Sequence, residues 1–261
     1  FSPPEALFAE FEAQAFAQVA DAFEPDCLRE GMIYGYLQSW LIDTGDMRVL
    51  VDTGAGNGKQ RPGIPIFGNL DTGFLSRLAD AGYSPEDIDT VFCTHLHIDH
   101  VGWNTQLQDG EWVPTFPNAT YCLPAVDDSA WNPDGDQYRT MSGAQVNANV
   151  YEDSVVPVLA SGRCRLVNDG EAIGAGMTAV HAPGHTPGHM VLEVCDDGDM
   201  ALFTGDILHH PMQVYRPDWN SVYCEDRSQA AETRLGVLNR AANNDARIVP
   251  AHFGAPHSIF E

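Results

Sequence analysis

Residues Thr94–His100 read T-H-L-H-I-D-H, and this heptad constrains the chain more than any other stretch. Three imidazoles and one carboxylate (His95, His97, Asp99 and His100) stand within six positions. So many polar groups packed so tightly serve poorly as structure, but imidazole nitrogen and carboxylate oxygen are the donors a borderline cation such as zinc prefers. The heptad follows Asp89–Cys93, an apolar, β-rich run that reads as a buried strand. It is therefore expected in a loop at the carboxyl end of a strand, where α/β proteins place their chemistry.

Three further ligand candidates follow β-like runs. His185 lies in His181-Ala-Pro-Gly-His-Thr-Pro-Gly-His189, whose glycines and prolines force a tight loop. Asp206 follows Phe203-Thr204-Gly205, and His252 follows Pro250-Ala251. A lone histidine after a strand is usually structural. Taken with the heptad, these residues make five histidines and two aspartates, the donor count of a two-metal site.

Periodicity outlines a mixed α/β chain. Helical patterns cover Phe8 to Phe23, Leu70 to Ala81, Val146 to Leu159 and Gln229 to Ala242. Strand-like runs cover 33–42, 48–51, 164–167, 177–181, 190–195, 200–203 and 247–249, with a hairpin signal at Asp43-Thr-Gly-Asp46. The stretch from Gly102 to Gly143 reads as irregular. The order strands, helix, strand, site occurs twice, which predicts an αβ/βα four-layer sandwich of two β-sheets flanked by helices. One domain is expected over residues 1–261, with 1–30 as an N-terminal arm or helix.

Charge excludes whole classes of partner. The 261 residues carry 37 acidic against 13 basic side chains, a formal net charge of −24, and Lys59 is the only lysine. Nucleic acid and anionic membranes both need clustered cations and are not expected as partners. No apolar run reaches the roughly 18 residues of a membrane span. The six cysteines form no CxxC pair and read as buried free thiols of a reducing, cytoplasmic setting. The start lacks both Met and a signal-peptide pattern; a removed leader would instead make the chain periplasmic or secreted.

On the heptad with His185, Asp206 and His252, the chain resembles the metallo-β-lactamase-fold hydrolase superfamily. The resemblance implies that His95, His97 and His185 bind one metal and that Asp99, His100 and His252 bind a second. Asp206 would bridge the two ions. It also implies that Asp52, in Asp52-Thr-Gly54, orients ligands rather than binding metal. His209 and His210, just past Asp206, are expected to line the pocket or tune Asp206, with His209 given the orienting role. Gly102-Trp-Asn-Thr105 and Gly205-Asp-Ile-Leu-His-His210 are most similar to the branch of N-acyl-homoserine lactonases and methyl-parathion-hydrolase-like enzymes. Two divalent ions, zinc first and iron, manganese or cobalt as alternatives, would share a bridging hydroxide that attacks a lactone, carboxylic ester or organophosphate. Asp99 and Asp206 would serve catalysis as ligands.

Family lactonases use a tyrosine near the oxyanion, which makes Tyr223 the leading proton donor, with Tyr215 as the second candidate. Phe67, Trp103, Trp219 and Phe253, with Ile64 and Ile66, are expected to wall an apolar pocket for a small ester or lactone. His181 and His189 are expected to be structural, and His257 is a pocket candidate. The rival readings are a β-lactamase or a glyoxalase II-like thioester hydrolase of the same fold, and a metal-binding protein without turnover. A homodimer is common among relatives and stays open.

Overall fold

The computed structural model describes residues 2–254 and 259. The chain divides into two compact units, Gln38–Asn168 and Phe1–Leu37 with Asp169–Glu261, and each is built on its own five-stranded sheet.

In the Gln38–Asn168 unit, β1 (Trp40–Asp43) and β2 (Arg48–Val51) form an antiparallel hairpin. Its turn is held by Asp43, whose Oδ1 accepts from the Gly45 amide at 2.7 Å. β2 then runs parallel to β3 (Thr90–Phe92), β3 to β4 (Thr120–Pro124) and β4 to β5 (Cys164–Val167), in the spatial order β1-β2-β3-β4-β5. Parallel strands are covered on both faces, which is why Val49–Val51 and Val91–Phe92 are continuously apolar and buried. The main core joins Leu50, Val91, Tyr121 and Leu123 to Trp131, Val155 and Val158. These last three come from α2 (Ala125–Trp131) and from a π-helical turn, Tyr151–Val155, that runs into α3 (Val156–Ala160); α1 (Phe74–Asp80) precedes β3.

The stretch after Gly102, expected to be irregular, contains β4, α2 and a small hairpin, Thr105–Gln108 with Glu111–Pro114. β4 escapes pattern reading because Pro117 precedes it and Pro124 is its last residue, and both read as turn punctuation. Pro124 both ends the strand and precedes the first residue of α2. The helix expected from Val146 begins only at Tyr151.

In the second unit, β6 (Ala172–Gly174), β7 (Met177–His181), β8 (Met190–Asp196) and β9 (Asp199–Gly205) pair antiparallel in sequence order. Asp197 and Gly198, both at positive φ, make the two-residue turn between β8 and β9. α4 (Arg227–Asn244) leads to β10 (Arg247–Pro250), which lies parallel to β9. Asp226 caps α4, accepting from the Gln229 amide at 3.0 Å.

The N-terminal arm belongs to this unit and is not the continuous helix that Phe8 to Phe23 suggests. It forms short turns at Pro4–Leu7, Ala13–Ala17 and Ala20–Phe23. Backbone bonds from Ala9 to the Asn220 carbonyl and from Val222 to the Leu7 carbonyl hold it extended at Phe8. Phe8, Phe16 and Phe23 pack with Met212 and Trp219 in one cluster. The run expected over 33–42 is likewise split. Met32–Ile33 pairs with Leu28–Arg29 in this unit, whereas Trp40 opens β1.

None of the six cysteines is in a disulfide; Cys27, Cys93, Cys122 and Cys224 are buried, Cys164 is half-buried and Cys195 is exposed. Among the described residues no helix is long and apolar enough to cross a membrane.

Candidate metal centre

The heptad leaves the carboxyl end of β3, a central strand with parallel neighbours on both sides. Leu96 and Ile98 turn into the core, while His95, His97 and His100 are 8% exposed or less. The ligand atoms of His95 and His97 lie within 4.8 Å of one another, as do those of Asp99 and His100.

Asp52, directly after β2, organises this group. It sits in the left-handed region at φ 54°, a conformation Asp tolerates better than most residues, and it is 2% exposed. Its Oδ1 accepts from the Thr94 amide at 2.8 Å, and its Oδ2 accepts from the Thr94 hydroxyl at 2.9 Å and from His100 Nδ1 at 2.9 Å. The Thr94 hydroxyl, with its proton given to Asp52, accepts in turn from His95 Nδ1 at 3.0 Å. One carboxylate thus places the proton of both rings on Nδ1 and leaves each Nε2 a lone pair for a cation. Thr53 closes the arrangement, its amide donating to the His100 carbonyl at 2.7 Å. Gly102 lets the two loops meet, since a Cβ there would fall 1.9 Å from the Ala55 carbonyl carbon.

The second unit carries His185, Asp206 and His252. His185 sits between β7 and β8 after Gly184, where φ is +126° and a Cβ would lie 2.2 Å from the Ala230 amide nitrogen. The neighbouring histidines are structural, as their sequence context suggests. His181 Nε2 donates to the Pro187 carbonyl at 2.9 Å, and His189 Nε2 accepts from the Asp206 amide at 3.1 Å.

Three rings converge on the Asp206 carboxylate. His185 and His209 each place Nε2 3.2 Å from Oδ2, and His252 places Nε2 2.9 Å from Oδ1. His252 Nδ1 donates to the Tyr36 carbonyl at 2.7 Å, so in the neutral ring Nε2 is an acceptor facing another acceptor. Such a pair needs a positive charge to share, and a divalent cation supplies one without protonating the ring. The donor set fits a metal on this ground. Burial holds the His209 ring below the usual histidine pKa, which favours its neutral form.

The remaining candidates are placed less uniformly. His210 is structural: it accepts from the Met212 amide and donates to the Cys27 carbonyl, with the Phe23 ring 4.8 Å away. Trp219 and Phe253, expected as pocket walls, are both fully buried packing residues, Trp219 under the N-terminal arm and Phe253 in the second unit's core. Trp103 stacks on Phe74 at 5.4 Å, and Phe67 and Ile64 pack against the first unit's core. Ile66, Tyr215 and Tyr223 are exposed. His257 lies outside the described residues. Sequence reasoning missed Cys224, whose Sγ lies 3.7 Å from His185 Nδ1, and missed Asp127 and Asn147, which hold the heptad's backbone.

Residues 35–252 match the model of the metallo-beta-lactamase superfamily. The chain belongs to that superfamily, and its fold is that of the superfamily's metallo-hydrolases. An N-acyl homoserine lactonase of Bacillus sp is 26% identical over 164 residues, a match that spans 59% of this chain and only 56% of that protein. Among solved structures, the hydrolase AbOPH of the beta lactamase superfamily superposes with a TM-score of 0.82 at 30% identity, covering 99% of this chain and 84% of its own. AidC, a dizinc quorum-quenching lactonase solved with its product N-hexnoyl-L-homoserine, gives 0.78 at 22% identity over 97% of this chain and 83% of its own. At that identity the likeness to AidC is one of fold.

Proposed function

We propose that the chain hydrolyses a small lactone, with carboxylic esters and organophosphates as further substrates, using two divalent cations. The observation that carries this reading is the Asp206 carboxylate with the Nε2 atoms of His185, His209 and His252 within 3.2 Å. With His185 at one oxygen and His252 at the other, the carboxylate is placed to bridge two cations. His95, His97 and His185 would hold one cation, Asp99, His100 and His252 the other, with Asp206 common to both and residues 1–261 acting as one catalytic domain. Zinc is the first choice, and iron, manganese and cobalt suit the same donors. Bound there, the pair of cations would acidify a water and polarise the scissile carbonyl.

The chain's own residues do the rest. Asp52 and Thr94 keep the rings of His95 and His100 in the ligating tautomer, and Tyr36 does so for His252. Tyr223 is assigned proton delivery to the leaving oxygen; its exposed position leaves it reachable by substrate. The lactonase relatives support lactones as the first substrate class. The scarcity of cations disfavours a glutathione thioester or a nucleic acid. A cytoplasmic location accords with six unbridged cysteines.

Metal analysis with a panel of N-acyl-homoserine lactones, p-nitrophenyl esters, paraoxon, nitrocefin and lactoylglutathione tests this. The expected result is about two metal equivalents and the highest kcat/KM on a lactone. A metal-replete protein that turns over only nitrocefin or lactoylglutathione moves the activity to the rival branches, and one that cleaves nothing in the panel removes the reading.

A further inference from the structure

The backbone of the ligand heptad is gripped in a way that points to two more functional residues. β3 ends at Phe92, and the Cys93 amide makes the last bond to β4, donating to the Cys122 carbonyl at 3.0 Å. Beyond it the amides of Thr94, Leu96 and Ile98 still need acceptors, because a buried unpaired amide costs about 1–3 kcal/mol. Each is met by a side chain. Thr94 donates to Asp52 Oδ1 at 2.8 Å, Leu96 to Asp127 Oδ2 at 3.2 Å and Ile98 to Asn147 Oδ1 at 2.9 Å. Three alternate amides of the heptad are thus each held by a side chain from elsewhere in the unit.

All three acceptors are buried, with Asp127 at 0% exposure and Asn147 at 5%. They come from three separate segments: the end of β2, the first turn of α2, and the loop before the π-helical turn. α2 holds the heptad twice. Asp127 takes the Leu96 amide, and Trp131, four residues later on the same helix face, meets the His97 ring edge-on at 5.1 Å. Burying a carboxylate is expensive unless it is used, and packing alone would be served by an apolar side chain. Asp127 acts on the peptide that joins His95 to Leu96, and Asn147 on the peptide that joins His97 to Ile98.

We infer that Asp127 and Asn147 are positioning residues. By fixing the peptide planes that follow His95 and His97, they set the separation and direction of the His95 and His97 ligand atoms. The inference rests on the proposed metal-dependent reading but concerns metal geometry and not substrate.

The full chain loaded with cobalt tests it, compared with Asp127→Ala, Asp127→Asn, Asn147→Ala and the core control Val158→Ala. Chelator competition, the cobalt visible spectrum and thermal melting are read together. Asp127→Ala and Asn147→Ala are expected to weaken metal binding about 10–100-fold and to shift the cobalt bands. Asp127→Asn keeps an acceptor oxygen and is expected to recover most of the affinity. Val158→Ala lowers the melting temperature with spectrum and affinity unchanged. If Asp127→Ala and Asn147→Ala melt lower yet keep wild-type affinity and bands, or if Asp127→Asn folds but recovers nothing, the positioning role is overturned. A wild-type chain that binds cobalt but cleaves nothing defeats the hydrolase reading and leaves this inference standing. A wild-type chain that binds none defeats both.

Discussion

The Asp52 carboxylate accepts from His100 Nδ1 at 2.9 Å while its other oxygen holds the Thr94 amide at 2.8 Å. The His100 ring and the turn that carries it are therefore set by one side chain. Asp52→Asn tolerates the same backbone conformation but offers only one acceptor oxygen. It is expected to cost about 10–100-fold in metal affinity, measured by chelator competition. Unchanged affinity would mean that the tautomer is set elsewhere.

Asp206 is expected to be irreplaceable as a bridge. Asp206→Ala should lose one metal equivalent and nearly all turnover. An Asp206→Ala protein with two equivalents by elemental analysis and full kcat would rule out a two-metal mechanism.

Gly102 is expected to accept no side chain. A Cβ would fall 1.9 Å from the Ala55 carbonyl carbon and 2.2 Å from the Gly56 amide nitrogen, and backbone cannot rotate aside as a side chain can. Gly102→Ala should lower unfolding free energy by about 1–3 kcal/mol or more in urea titration, with a parallel loss of metal affinity because the amide next to His100 and Val101 must move.

Lys59 makes stability depend on pH in the alkaline range. Burial is the main cause that lowers its pKa from 10.5 to about 8, partly offset by Asp153. Between those two values the unfolded chain holds the proton more tightly than the folded one, so this residue's contribution to stability rises as pH increases from about 8 to 10.5. Below pH 8 both states are protonated, and the cost of burying the charge is present in full. The wild type should therefore gain on Lys59→Met across this window in melts at pH 7.5, 9 and 10. A constant difference between the two proteins would show that Lys59 keeps its ordinary pKa.

Most of the second unit was legible because its strands are punctuated locally. Asp197-Gly198 fixes the turn between β8 and β9, and the limits of β7 read directly from apolar alternation. The positions of the residues proposed to hold metal were legible because the heptad, Asp206 and His252 each follow a strand. β4 was not, since a parallel strand is defined by its neighbours on both sides and its own five residues look like a proline-bounded loop. Asp127 and Asn147 were invisible for a related reason: their partners are backbone amides 31 and 49 residues away, and no local pattern encodes that pairing. The N-terminal phenylalanines were read as a helix because their spacing permits one. Bonds to Asn220 and Leu7's own pairing with Val222 decide otherwise.

The fully buried Lys59, with its ammonium 2.7 Å from the Thr105 hydroxyl and 3.7 Å from the centre of the Trp112 ring, has a practical consequence. It is the chain's only lysine, so amine-directed dyes, crosslinkers and resins find no lysine side chain on the folded surface. Labelling at that one side chain becomes a stopwatch for opening of the Gln38–Asn168 unit, readable on the intact protein by mass.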